Sequence, residues 1–204
     1  TISRQYAAGG SLVATEVAEA LNWSVVDNEF IDRVAARAGM THEEVAAREE
    51  RVPSFIERLA LTLATSSPEL FPPATGTAED PSEAKVVKIT ESLVAELAET
   101  GHVVLVGRAA PAVLGQRKGT LHVRLVAPEA FRVRVAVERL GLPPDEATAT
   151  VHRIDRNRQR YHRQYYGRDW DDATNYDMVL NTGWLGFDGA AALIVARAEQ
   201  LGWR

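Results

Sequence analysis

Two stretches of this 204-residue sequence place residues where they could hold an anion. The first is Thr1-Ile2-Ser3-Arg4-Gln5-Tyr6-Ala7-Ala8-Gly9-Gly10-Ser11, which reads as a strand end, a turn of small residues and the entry to a helix. Such a turn points backbone N–H groups at a phosphate, and the helix N-terminus adds partial positive charge. The window Arg4 to Ser11 overlays the phosphate-loop pattern Gly-x-x-x-x-Gly-Lys-Ser/Thr at Gly9 and Ser11, with Arg4 in place of the first glycine and Gly10 in place of the lysine. The competing reading is a Gly-Gly helix entry that only permits tight packing. The second stretch runs from His152 to Arg168 and holds six arginines (153, 156, 158, 160, 163 and 168) against one acid, Asp155. Arg153, Arg156, Arg160 and Arg163 are spaced three, four and three apart, so they share one helical face. Guanidinium forks suit phosphate oxygens. The alternative is a solvated, salt-bridged face.

Two further positions could carry chemistry. Gly107-Arg108 directly follows the apolar run Val103-Val104-Leu105-Val106, where a glycine lets the chain turn and sets the arginine beside the loop. Asp27 ends the run Trp23-Ser24-Val25-Val26, where an acid could meet a sugar hydroxyl, a base amino group or metal-bound water, or cap a helix starting near Asn28. Tyr161, Tyr165, Tyr166 and Trp170 could stack on a base, but read better as packing. The five histidines show no metal-ligand spacing.

The elements that must position these residues alternate. Strands are expected at the N-terminus, at 23–27, 103–106, 121–126 and 178–180. Helices are expected from Leu12, over 28–38, 41–51, from Pro53 to about Ala64, over 82–100, 128–140, from Pro143-Pro144 through the arginines, and after Asp188 as a cap. Residues 65–81 carry four prolines and no apolar periodicity, and read as a mobile surface loop. Alternation of this kind implies a parallel sheet with helices on both faces, and ligands in such sheets sit at the carboxyl ends of the strands. Ser3-Arg4, Asp27, Gly107-Arg108 and Asn181 fall there.

Composition narrows the class. An apolar share of 46% and a charged share of 25% suit a globular domain. With no cysteine there are neither disulfides nor thiolate metal sites, which is compatible with a reducing cytosol. No apolar run is long enough to span a membrane, and no signal peptide is expected. The net charge of −5 becomes +5 for the arginine segment and −10 for the remainder, which argues for a dedicated anion site and against a general nucleic-acid binder.

Taken together, Ser3-Arg4-Gln5-Tyr6 with Gly9-Gly10, Val106-Gly107-Arg108, Tyr165-Tyr166-Gly167-Arg168-Asp169-Trp170, Asn175-Tyr176-Asp177 and Leu180-Asn181-Thr182 resemble the cytidylate-kinase-like family, a divergent branch of the bacterial cytidylate kinases. The resemblance implies a three-layer P-loop NTPase-type α/β fold: a five-stranded parallel sheet flanked by helices, plus a helical lid. It implies one domain over 1–204, with a helical acceptor-side region over about 28–100 and an arginine-rich lid over about 143–170. It further implies transfer of the ATP γ-phosphoryl group to a nucleoside monophosphate with Mg²⁺. Ala7, Ala8, Gly9, Gly10 and Ser11 would hold donor phosphates, with Ser11 on the metal. Asp27, Arg33, Gly107, Arg108 and Arg153 would serve the acceptor, and Arg4, Arg156, Arg158, Arg160 and Arg163 would stabilise charge. The chain departs from the family of true kinases at Gly10 for the loop lysine, Ala109 for the acid of Gly-Arg-Asp, and Ala7-Ala8 for a more glycine-containing turn. CMP is the default acceptor, and another phosphorylated metabolite stays open. The alternatives are a non-catalytic nucleotide-binding module and, less favoured, an RNA-binding protein. A cytoplasmic location is expected, and a homodimer stays open.

Overall fold

The computed structural model describes residues 1–27 and 81–203, without the side chains of 81–86. Arg33, the helices expected between 28 and 64, and the proline-bearing stretch apart from Pro81 lie outside the described residues. The chain divides into two compact units, Thr1–Asp27 with Val94–Arg204, and Asn28–Leu93. Of the second, only the opening turns of one helix are described. Everything below concerns the first.

The element order is β1 (Ile2–Arg4), α1 (Gly10–Leu21), β2 (Ser24–Val26), α2 (Pro81–Thr100), β3 (Val103–Leu105), α3 (Ala110–Leu114), β4 (Val123–Val126), α4 (Glu129–Glu138), α5 (Pro144–Tyr166), β5 (Met178–Asn181) and α6 (Thr182–Gln200). A 3₁₀ turn, Ala173–Asn175, precedes β5. Every strand pair is parallel, and helices connect the strands, as the alternation requires. The sheet itself corrects the expectation of one five-stranded ladder. Hydrogen bonding divides the strands into a three-stranded sheet, β1-β4-β5, and a two-stranded one, β2-β3. A single parallel bridge, Ile2 to Val106, joins them, with the Gly107 N–H donating to the Ile2 carbonyl at 3.0 Å. The reason is local. Gly107, Arg108 and Ala109 all have positive φ, at 83°, 50° and 49°, so the chain leaves the extended conformation before a second β1 pair can form. Because all strands run the same way, Arg4, Asp27, Gly107-Arg108 and Asn181 fall along one carboxyl edge.

The core lies between the strands and the helices α1 and α6. On α1, Val13, Ala14, Val17, Ala18 and Leu21 are buried at helical spacing, against Ile2, Val104, Val123 and Leu125 from the strands and Ala190, Ala191, Ile194 and Ala198 from α6. The alanines let the two helices approach closely. Each fully buried Val or Leu contributes about 1.5–3 kcal/mol over an exposed one. Helix α1 stops at Asn22, which is left-handed at φ 55°, and the Trp23 N–H reaches back to the Ala18 carbonyl at 2.8 Å. Helix α6 is two helices joined across a kink, a short unexpected turn before Gly186 and a longer stretch after it that begins close to the expected Asp188 cap. Its N-cap is Asn181, whose side chain accepts from the Gly183 N–H, and it breaks at Gly186 before resuming. No helix among the described residues is long and apolar enough to cross a membrane.

Candidate functional site

The turn between β1 and α1 is held from three sides. Its backbone returns to β4 through the Gln5 N–H to the Leu125 carbonyl at 3.0 Å, and the Gln5 side chain accepts from the Ala127 N–H at 3.0 Å. The Thr182 hydroxyl, at the head of α6, donates to the Ala8 carbonyl at 3.0 Å. Ala8 is fully buried, and Ala7 is left-handed at φ 61°. Two more N–H groups of the turn are committed, Tyr6 to an Asp155 carboxylate oxygen at 2.7 Å and Ala8 to the Gln5 carbonyl at 3.2 Å. The next donors are different. Gly9 is the N-cap of α1 and brings no side-chain acceptor. The N–H groups of Gly10, Ser11 and Leu12 are those that an α-helix leaves without intrahelical partners. That uncapped terminus faces the carboxyl edge, so the order of strand, turn and helix does present donors to an anion.

The two glycines have separate reasons. At Gly9 φ is 82°, and a Cβ there would collide with the ring of Phe187 from α6. Gly9 is therefore a packing glycine: a side chain added there runs into α6. At Gly10 a Cβ would lie 2.6 Å from Cγ, 3.0 Å from Cδ and 3.2 Å from Nε of Arg4. The Arg4 side chain crosses the space from which the expected lysine would start.

Charge at this edge is unbalanced. Burial, with the Arg158 and Arg108 guanidiniums close by, pushes Arg4 down to about 9, and Asp27 is the acid that opposes this. Burial also lowers Arg158 and Arg108; Asp155 counters it at the first, and the Tyr161 and Tyr166 hydroxyls at the second. Arg158 donates to the Arg4 carbonyl at 2.8 Å, which fixes it over the end of β1. Three guanidinium groups thus crowd one strand edge and lose stability that a bound anion would restore.

Helix α5 places its arginines in two directions. Arg153, Arg156, Arg160 and Arg163 are exposed, so the row that shares one face is the solvent face. Ala147, Val151, Asp155, Arg158 and His162 form the opposite, inward stripe, and of the α5 arginines named as charge stabilisers only Arg158 lies on it. Asp155 is the anchor. Besides the Tyr6 N–H it accepts from Arg132 Nη1 at 2.5 Å, and it lies 3.7 Å from Arg158. Arg132, itself buried, also donates through Nε to the Ala127 carbonyl at 3.0 Å. Tyr6 and Ala7 pack against Ala136, Ala147 and Val151, so the turn is clamped between α4 and α5.

The stretch Gly167-Arg168-Asp169-Trp170, with Asn175-Tyr176-Asp177, is a clasp. Arg124, 2% exposed in the middle of β4, donates to the Trp170 carbonyl at 2.6 Å, pairs with Asp171 and lies 4.0 Å over the Trp170 ring. Trp170 Nε1 donates to Ser3 Oγ at 2.9 Å, and the Asp177 carboxylate accepts from the His122 N–H at 2.7 Å. The tyrosines of α5 pack on one another, Tyr161 and Tyr165 at 4.9 Å between ring centres. Neither Arg124 nor Arg132 was singled out from the sequence. A charge inside the apolar run 121–126 was the available signal for Arg124; Arg132 has none.

Among the described residues, donors and cations outnumber acids at this edge, a balance that suits polyphosphate. A divalent metal has less to hold it. Among the described residues no group of three His, Cys, Asp or Glu could take a metal ion, so the exposed Ser11 hydroxyl would share Mg²⁺ with phosphate oxygens.

The parallel strands with helices between them define an α/β protein, and the turn before α1 lies beside the arginines Arg4, Arg108 and Arg158. Comparison narrows this: residues 1–183 match the profile of the cytidylate kinase-like family, and the chain belongs to that family. A cytidylate kinase of Thermococcus kodakarensis (strain ATCC BAA-918 / JCM 12380 / KOD1) is 33% identical over 107 residues, covering 52% of this chain and 54% of that protein. The chain thus spans about half the length of the curated relatives it matches. A crystal structure of a protein from Eubacterium ventriosum ATCC 27560, described as uncharacterized, superposes with a TM-score of 0.70 at 20% identity, covering 97% and 96% of the two chains. Shikimate kinase from Bacteroides thetaiotaomicron gives a TM-score of 0.50 at 18% identity, covering 98% and 95%. Both structures show likeness of fold alone.

Proposed function

We propose that the protein is a phosphotransferase that moves the ATP γ-phosphoryl group to a nucleoside monophosphate, CMP by default, or to a related small phosphorylated metabolite. The observation that carries this reading is the uncapped N-terminus of α1 beside Arg4, Arg108 and Arg158 at the carboxyl edge. ATP with Mg²⁺ would supply the phosphoryl group and part of the charge neutralisation. The N–H groups of Gly10, Ser11 and Leu12 would hold donor phosphates, with the Ser11 hydroxyl turned to the metal. Arg108 and Asp27 would face the acceptor, with Gly107 providing the turn; Arg33, outside the described residues, is proposed for the acceptor phosphate. Arg158 would stabilise the transferring group from above, since charge placed in advance in a water-poor site is the main source of rate in such transfers. The exposed row on α5, Arg153, Arg156, Arg160 and Arg163, would contribute only on closure of that helix as a lid. The protein would act in the cytoplasm on small nucleotides.

A non-catalytic nucleotide-binding module is the second reading, favoured by Ala109, whose methyl is buried where a true kinase has an acid. ADP formation from ATP, measured across CMP, UMP, AMP and GMP with the affinity for a non-hydrolysable ATP analogue in parallel, separates the two. Turnover of at least one acceptor is expected. Binding with no turnover of any acceptor selects the module, and neither binding nor turnover removes both.

A further inference from the structure

Resting on that reading, we infer that Arg4 is the cation at the donor polyphosphate, and that position 10 is glycine because Arg4 passes through the space a side chain there would need. The distances make the two exclusive. A Cβ on Gly10 would sit 2.6 Å from Arg4 Cγ and 3.0 Å from Cδ, closer than carbon atoms approach without one of them moving. A lysine at position 10 and the present course of Arg4 cannot coexist. The loop has therefore exchanged one cation for another: the charge comes from the last residue of β1 and not from the first turn of α1.

The position suits the task. Arg4 ends a strand whose register is fixed, Arg4 pairing with Leu125 of β4, and its carbonyl is held by Arg158 at 2.8 Å. Its stem lies along Gly10, with Nε 3.2 Å from where a Cβ there would sit, so the side chain runs beside the first residue of α1, whose N–H has no intrahelical partner. An arginine has a planar fork of donors where a lysine has a point charge, so it can bridge two phosphate oxygens while the helix N–H groups take others. The second positive group over the same strand end, Arg158, has Asp155 as a partner at 3.7 Å; Arg4 has Asp27 as its opposing acid.

The test is a reciprocal exchange. Arg4→Ala, Gly10→Lys and the double variant are compared with the native protein for affinity toward inorganic tripolyphosphate, a non-hydrolysable ATP analogue and AMP, with thermal unfolding of each to verify folding. Loss of one charge-assisted fork weakens tripolyphosphate and ATP-analogue binding by about 10–100-fold in Arg4→Ala, and leaves AMP within about threefold. Gly10→Lys alone also weakens both, because it displaces Arg4. In the double variant the lysine has room, and affinity recovers at least tenfold over Arg4→Ala. Arg4→Lys, which keeps the charge and loses the fork, falls between native and Arg4→Ala. Unchanged tripolyphosphate affinity in a folded Arg4→Ala, or effects of the two changes that simply multiply, would overturn the exchange. These are binding measurements, so they decide on Arg4 even if the native protein phosphorylates no monophosphate, a result that would instead remove the proposed activity.

Discussion

At the scale of single residues, one buried carboxylate organises the candidate site. Asp155 holds the Tyr6 N–H, Arg132 and Arg158 together, and each partner comes from a different segment. Removing one side of a buried ion pair leaves the other charge uncompensated and costs about 3–5 kcal/mol. Asp155→Ala is therefore expected to lower the urea midpoint sharply, whereas Arg156→Ala, one residue on and exposed, stays within about 0.5 kcal/mol of native. Equal, small losses for both would show that Asp155 is not the anchor. The chemistry of this residue was only half legible in the sequence. The periodicity of α5 put Arg153, Arg156, Arg160 and Arg163 on one face, but periodicity alone does not say which face meets solvent. The sequence Ala147, Val151, Asp155, Arg158, His162 is also at helical spacing, and its two apolar members mark it as the inward stripe. Reading on from them would have picked Arg158 out of the arginines.

At the scale of elements, the order strand, turn, helix was legible because small residues and glycines punctuate it, and the start of α5 was marked by Pro143-Pro144. The split of the sheet was not, since it depends on three successive left-handed residues after Val106, two of which are not glycine. Nor was the true reason for Gly9, whose neighbour Phe187 lies far along the chain. Packing of α6 against the turn predicts coupling between these two positions. Gly9→Ala is expected to destabilise by about 1–3 kcal/mol through overpacking and its positive φ. In a Phe187→Ala background the same change costs at least 1 kcal/mol less, because the colliding ring is gone. Additive losses in the double-mutant cycle would mean that α6 does not set the limit on Gly9. The clasp after α5 follows the same logic of distant partners: Trp170 finds Ser3, 167 residues away, and Tyr176 finds Arg124, 52 residues away.

At the scale of the whole molecule, the charge balance gives stability a definite pH dependence. His162 is buried on the inward stripe of α5, and burial, aided by the Arg124 and Arg168 guanidiniums, lowers it from an ordinary 6.5 to about 4. Between those values the unfolded chain takes up the proton and the folded one does not, so stability is full above about pH 6.5 and falls as pH drops toward 4. With allowance for partial access of solvent, the loss is on the order of 2 kcal/mol. Carboxylates titrate in the same window, so the difference between native protein and His162→Gln isolates the histidine; a difference that stays constant from pH 7 to 4 would refute its role. Docking of polyphosphate on the N-terminus of α1 is tested most directly by following backbone amide resonances while tripolyphosphate is added to the labelled protein. The largest saturable shifts are expected at Gly9, Gly10, Ser11 and Leu12. Saturable shifts confined to the exposed face of α5, at Arg153, Arg156, Arg160 and Arg163, with the start of α1 unmoved, would contradict it.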